Sequence, residues 1–206
     1  MKSMTIIVAV KDDENILIGA DSRVTIGETI ESEDSSKILI KELTIIGYRK
    51  STTENFLIAF SGAYFLFELL KTFDAPYKVE GDTFKEYLYN SFVPEINKYL
   101  RKYNFVHDLE GQDGVNWELL IAYKNSLFLI QFNLGILEIE TPYYAIGGAR
   151  EIALGSLYTT HYDVNVTDKE YIVTTAIKAC AAHNLYCNDN LQLYTVNKTG
   201  KIERLV

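Results

Sequence analysis

Cysteine and proline are scarce, with two Cys and three Pro in 206 residues. Two thiols, Cys180 and Cys187, cannot build a disulfide framework, and Cys180 falls in a helix-like segment where a small buried thiol is the expected state. So few Pro, with only twelve Gly, exclude collagen-like, proline-rich and loop-only architectures. No apolar run approaches the roughly 20 residues of a membrane span. The apolar stretch near the N-terminus ends at Lys11 after about six residues, too short for a secretory signal. Positive charge is also in deficit: 20 Lys+Arg stand against 28 Asp+Glu, for a net charge of −8. That balance lacks the basic footprint that binding to nucleic-acid phosphates requires. A soluble cytoplasmic protein is the expectation, with neither membrane nor nucleic acid as partner.

Conventional cofactor chemistry is equally thin. His107, His161 and His183 are scattered and have no zinc-ligand spacing. The acidic run from Glu28 to Asp34 lacks the calcium-loop pattern and reads as a solvated loop. Gly147-Gly148 lacks the remaining glycines of a phosphate-binding turn, and no GxSxG elbow occurs. No cofactor or metal is expected.

What the chain does have is apolar bulk: 48% hydrophobic residues, with fifteen Tyr and ten Phe. At this length a single domain buries about 70% of its unfolded surface. Residues 5–11 and 15–21 read as a hairpin, with further strands at 37–40, 43–49 and 55–60 and a hairpin loop over 49–55. A buried helix is expected over 62–73, broken at Asp74-Ala75-Pro76. A second opens on the capping box Thr83/Glu86 and runs to about Tyr103, with Pro94 predicting a kink or interruption. An acidic loop at 107–115 precedes strands at 116–123, 126–133 and 136–140. Helices at 149–159 and from Thr167 to about His183, then strands at 191–196 and 201–205, complete the pattern. Grouped strands and paired helices point away from repeating βαβ units and toward an α+β packing of two antiparallel sheets covered by helix pairs.

One constellation carries chemistry. Thr5 opens the first strand, Asp21 follows sixteen positions later in Ala20-Asp21-Ser22-Arg23-Val24-Thr25, and Lys37 a further sixteen on. With the opening Thr5-Ile6-Ile7-Val8-Ala9-Val10, these segments resemble the proteasome β subunits and the peptidase subunit of the bacterial HslUV protease. Weaker echoes are Ile58-Ala59-Phe60-Ser61-Gly62, Ala145-Ile146-Gly147-Gly148 and Tyr186-Cys187-Asn188. The resemblance covers nearly the whole chain, although the 37–59 and 104–145 regions are longer than in either relative.

The resemblance implies an N-terminal-nucleophile hydrolase: a four-layer αββα sandwich over residues 1–206, assembled in homo-oligomeric rings and cleaving peptide or unfolded-protein substrates. An ATP-dependent unfoldase is the partner it suggests. Carried over by position, Thr5 is the nucleophile, Lys37 the cation beside it and Asp21 the carboxylate that orients Lys37. Ala59 stands where the family's backbone donor to the oxyanion lies, usually glycine. Arg23, Gly148, Asn184 and Cys187 take supporting positions, the last three replacing the family's serine, aspartate and serine. The chemistry fits these residue types. A threonine hydroxyl needs a base, and a free α-amine with a pKa of about 8 supplies one from the same residue. A neighbouring ammonium keeps that amine unprotonated and stabilises negative charge. With Met1-Lys2-Ser3-Met4 attached, the Thr5 nitrogen is an amide, so activity requires either translation from Met4 and its removal, or autocatalytic cleavage. A non-catalytic scaffold that keeps its extension, and an amidase for small amides, are the alternative readings.

Overall fold

A computed structural model describes residues 5–26, 29–109 and 112–206. The extension Met1–Met4 lies outside the described residues. The chain opens with β1 (Ile6–Lys11), β2 (Asn15–Asp21), β3 (Val24–Ile26) and β4 (Thr29–Ser32). The long hairpin β5 (Ile38–Ile46) and β6 (Ser51–Ser61) leads into α1 (Tyr64–Thr72), β7 (Lys78–Val79), α2 (Phe84–Tyr87) and α3 (Val93–Arg101). Next come β8 (His107–Leu109), β9 (Gln112–Gly114), β10 (Glu118–Tyr123), β11 (Ser126–Ile130), β12 (Ile136–Glu138) and β13 (Tyr143–Gly147). Helices α4 (Arg150–His161) and α5 (Lys169–His183) precede the closing strands β14 (Leu191–Asn197) and β15 (Ile202–Arg204).

Two large sheets result, in the orders β13-β1-β2-β14-β15 and β12-β11-β10-β6-β5-β7. All their pairings are antiparallel except the short β5–β7 pair at one edge. The alternation of side chains along each strand assigns the layers. Ile6, Val8 and Val10 of β1 join Ala153, Leu157, Val173 and Ile177 of α4 and α5 in one core. Ile7 and Ala9, on the opposite face, meet Leu57, Ala59, Leu120 and Leu129 of the other sheet. That sheet turns Phe56, Ile58, Leu119 and Ile121 toward Leu66, Leu70, Leu88 and Ile96 of the first helical layer. The order is helices, sheet, sheet, helices, the αββα sandwich expected. Both faces of both central strand pairs are dry, which is why β1 and β10 read as continuous apolar runs.

Several local expectations are corrected. The residues assigned to a 49–55 loop lie mostly in strand: β5 and β6 pair without interruption to Ile46↔Ser51, and the turn is Gly47–Lys50. Their polarity suits this end of the hairpin, which is solvent-exposed. Pro94 interrupts the second helix as expected, through a wide π-type turn at Leu88–Phe92 in which the Val93 N–H donates to Leu88 O. Proline has no N–H and its ring crowds the carbonyl four residues back, so the ladder loosens just before it. The cap of α5 is Asp168, whose carboxylate accepts from the Glu170 N–H, rather than Thr167. Glu28 and residues 110–111 lie outside the described residues, but β4 occupies Thr29–Ser32 of the acidic run, β8 and β9 pair within 107–115, and β13 adds a strand over Tyr143–Gly147.

Candidate active site

Thr5 immediately precedes β1, which lies between β2 and β13. Ile7 pairs with Ala20 on one side and Ile6 with Gly147 on the other, so the end of β2 and the end of β13 flank Thr5. The register puts Asp21 opposite Ile6, and the Ile6 N–H donates to Asp21 Oδ1 at 3.0 Å. The Thr5 carbonyl accepts from the Gly148 N–H at 2.9 Å. Gly147 is required here: its φ is +110°, and a Cβ would stand 2.0 Å from the Thr5 carbonyl oxygen. Thr5 is therefore fixed from both neighbouring strands, and only 6% of its surface remains exposed.

Asp21 is fully buried and accepts three hydrogen bonds. Besides Ile6, its carboxylate receives Lys37 Nζ at 2.7 Å and the Arg23 N–H at 3.2 Å. Lys37 is itself almost completely buried, just before β5, with its N–H donating to Gln192 Oε1 and its carbonyl accepting from Phe60 N–H. Burial pushes the Lys37 ammonium below the usual lysine range, and the Asp21 carboxylate opposes that fall. The pair is held by burial and geometry together, an arrangement whose worth in stability is small but whose disruption is costly.

The supporting residues divide. Arg23 spans the site's rim, with Nε on Glu33 at 3.0 Å and Nη1 on the Leu185 carbonyl at 2.6 Å. Gly148 touches Thr5 through its backbone, as described. Cys187 is buried near Lys37 and Asp21, and burial, reinforced by the Asp21 charge, pushes its thiol up to about 12. Asn184 is spent locally: it follows α5 and its Oδ1 accepts the Tyr186 N–H. Ala59 is not brought to the site. It is fully buried between the sheets and pairs with both Ile38 and Leu120. Because Phe60 donates toward Lys37, the alternation of the strand turns the Ala59 N–H the other way, into the ladder with β10.

The residues missed are a buried polar belt and an aromatic wall. Asn188 accepts the Ser22 N–H at 3.0 Å and donates to the Glu33 carbonyl and carboxylate at 2.9 and 2.8 Å, tying the β2–β3 turn to the stretch after α5. Gln192 bridges Lys37 and Ser35. Polar side chains in otherwise apolar surroundings were the available signal. A cavity of about 230 Å³ brings Thr5, Lys37 and Arg23 together with Phe60, Phe105 and Trp117, and Gly62, one residue past β6, also lines it. Among the described residues no cluster of three His, Cys, Asp or Glu is placed to hold a metal ion.

The chain is thus an αββα sandwich with Thr5 at the head of its first strand, close to a buried Lys37–Asp21 pair. Solved structures share this fold. BPH from Thiobacillus denitrificans superposes with a TM-score of 0.73 at 19% identity, covering 95% of this chain and 100% of its own. The same protein in complex with epoxomicin gives 0.70 at 19% identity, covering 93% and 98%. Eukaryotic HslV from Trypanosoma brucei gives 0.60 at 15% identity, covering 93% and 99%. No protein-family model matches the sequence. At these identities the likeness is one of fold. No helix among the described residues is long and apolar enough to cross a membrane.

Proposed function

We propose that the chain is a proteasome-like threonine peptidase subunit, in which Thr5, with its α-amine freed, attacks peptide carbonyls. The observation that carries this reading is the buried 2.7 Å Lys37–Asp21 pair, whose lysine lines the same cavity as Thr5. A dry ion pair is costly to maintain, and its position beside a hydroxyl in a cleft gives it a chemical use. In this scheme the α-amine takes the Thr5 hydroxyl proton as Oγ1 bonds to the carbonyl carbon, and Lys37 holds the amine neutral by its charge. The oxyanion is met by backbone N–H at the end of β6, where Gly62 borders the cavity, in place of Ala59. Collapse of the tetrahedral species returns the proton to the departing amine nitrogen and leaves an ester on Thr5. Water, deprotonated by the same α-amine, then hydrolyses that ester.

Assembly into homo-oligomeric rings and delivery of unfolded substrates by an ATP-driven partner belong to this proposal and rest on the fold. Epoxomicin, the ligand of one BPH structure, is a rational probe for the Thr5 site. The test is hydrolysis of a fluorogenic peptide panel by the parent and by Thr5→Ala, with circular dichroism confirming that both fold. Loss of turnover to background in the variant supports the reading; equal turnover in both overturns it.

A further inference from the structure

We propose that the cavity beside Thr5 is a side-chain pocket for an aromatic substrate residue, and that Phe105 is its specificity-determining wall. The term substrate rests on the peptidase reading; the pocket's chemistry does not. Its volume, about 230 Å³, exceeds the roughly 150 Å³ in which an apolar cavity accommodates a benzene ring. Four aromatic residues, Phe60, Tyr64, Phe105 and Trp117, are among those that line it. Aromatic side chains prefer edge-to-face or offset contacts with such walls, beyond the area they bury.

Charge argues the same way. The two cations on the cavity are already matched, Lys37 by Asp21 at 2.7 Å and Arg23 by Glu33 at 3.0 Å. An acidic side chain would have to compete with those carboxylates, and a basic one would meet two cations. A neutral ring meets neither cost. The wall is built by this chain's own connection between α3 and β10, which contributes Asn104, Phe105, His107, Asn116 and Trp117. Phe105 is half-buried and packs on Phe65 of α1, their ring centroids 5.8 Å apart. That contact restrains its ring.

Trp117 is the chain's single tryptophan and is only 3% exposed, so its emission reports occupancy of the cavity without any need for catalysis. The experiment titrates the full-length protein with the N-acetyl amides of phenylalanine, aspartate and lysine while following Trp117 fluorescence. The phenylalanine amide should give a saturable change at least tenfold tighter than either charged amide. Phe105→Ala should weaken it roughly tenfold, the size of one lost aromatic contact. Phe105→Leu, which keeps the wall apolar, should retain binding but lose most of the aromatic preference. Charged amides binding equally well, or a phenylalanine affinity untouched by both variants, would overturn the proposal. Binding and hydrolysis, followed side by side in the parent, separate the two readings. Aromatic binding with no hydrolysis in the parent would remove the peptidase and keep the pocket. Hydrolysis indifferent to the aromatic residue would do the reverse.

Discussion

Asp21→Asn is the perturbation whose consequences the structure defines most sharply. The carboxylate is fully buried and its partner Lys37 nearly so, with 4% of that side chain exposed. Asparagine preserves the shape and one acceptor but deletes the counter-charge, leaving an ammonium in the interior. Removing one member of a buried pair costs about 3–5 kcal/mol, against a total stability of about 5–15 kcal/mol. For a domain of this size each kcal/mol is worth about 2–4 °C, so the midpoint of thermal unfolding should fall by roughly 6–20 °C.

The pH dependence carries a sign. Lys37 is already pushed down by burial, and Asp21 is what raises it, so the substitution lowers it further. Between that lowered value and the unfolded value of about 10.4, the unfolded chain binds the additional proton, and stability rises with pH. The deficit of the variant relative to the parent should therefore shrink as pH rises toward that unfolded value and Lys37 becomes neutral in the fold. Thermal unfolding by far-UV circular dichroism from neutral into alkaline pH measures this. Adding Lys37→Met to the variant should restore part of the loss, because an apolar group replaces the stranded charge. A variant as stable as the parent, or a deficit that grows with pH, would refute the buried-pair reasoning.

Gly147→Ala should cost several kcal/mol and displace Thr5, because the new Cβ meets the Thr5 carbonyl oxygen at 2.0 Å and the backbone is left-handed there; guanidinium unfolding with peptidase assay checks both effects. Cys180 and Cys187, each with its thiol pushed up to about 12 chiefly by burial, should resist iodoacetamide at about pH 8 until the chain unfolds. Peptide mapping by mass spectrometry reads this out, and rapid native labelling of Cys187 would contradict its placement. Asn188→Ala removes the acceptor of the buried Ser22 N–H and one donor to Glu33, whose carboxylate keeps Arg23, so a loss of about 1–3 kcal/mol is expected, measurable by urea unfolding.

Much of this was legible because it is local. Two apolar runs between Thr5 and Asp21, parted by a polar turn, set a hairpin, and the hairpin's register brings residue 21 back beside residue 6. Lys37 could be read only by resemblance, since its side chain reaches Asp21 across a turn that has no sequence periodicity. β13 escaped notice because Tyr143-Tyr144-Ala145-Ile146 is short and follows Pro142; it becomes a strand by pairing with β1, more than 130 positions away. Ala59 was misplaced for a related reason. Which N–H of β6 faces the cavity depends on strand parity, and parity is fixed only once the register with β5 and β10 is known. Asn188 enters the sequence reading only within the Tyr186-Cys187-Asn188 echo and without a role, and nothing near Gln192 signals the Lys37 backbone it satisfies.

The central claim is that Thr5 becomes a chain terminus whose hydroxyl reacts. Intact and peptide mass determination of the natively expressed protein, before and after treatment with epoxomicin, tests it directly. The account predicts a mature chain beginning at Thr5 with the mass of epoxomicin on its first peptide. A mature chain that retains Met1 and carries no adduct would contradict it.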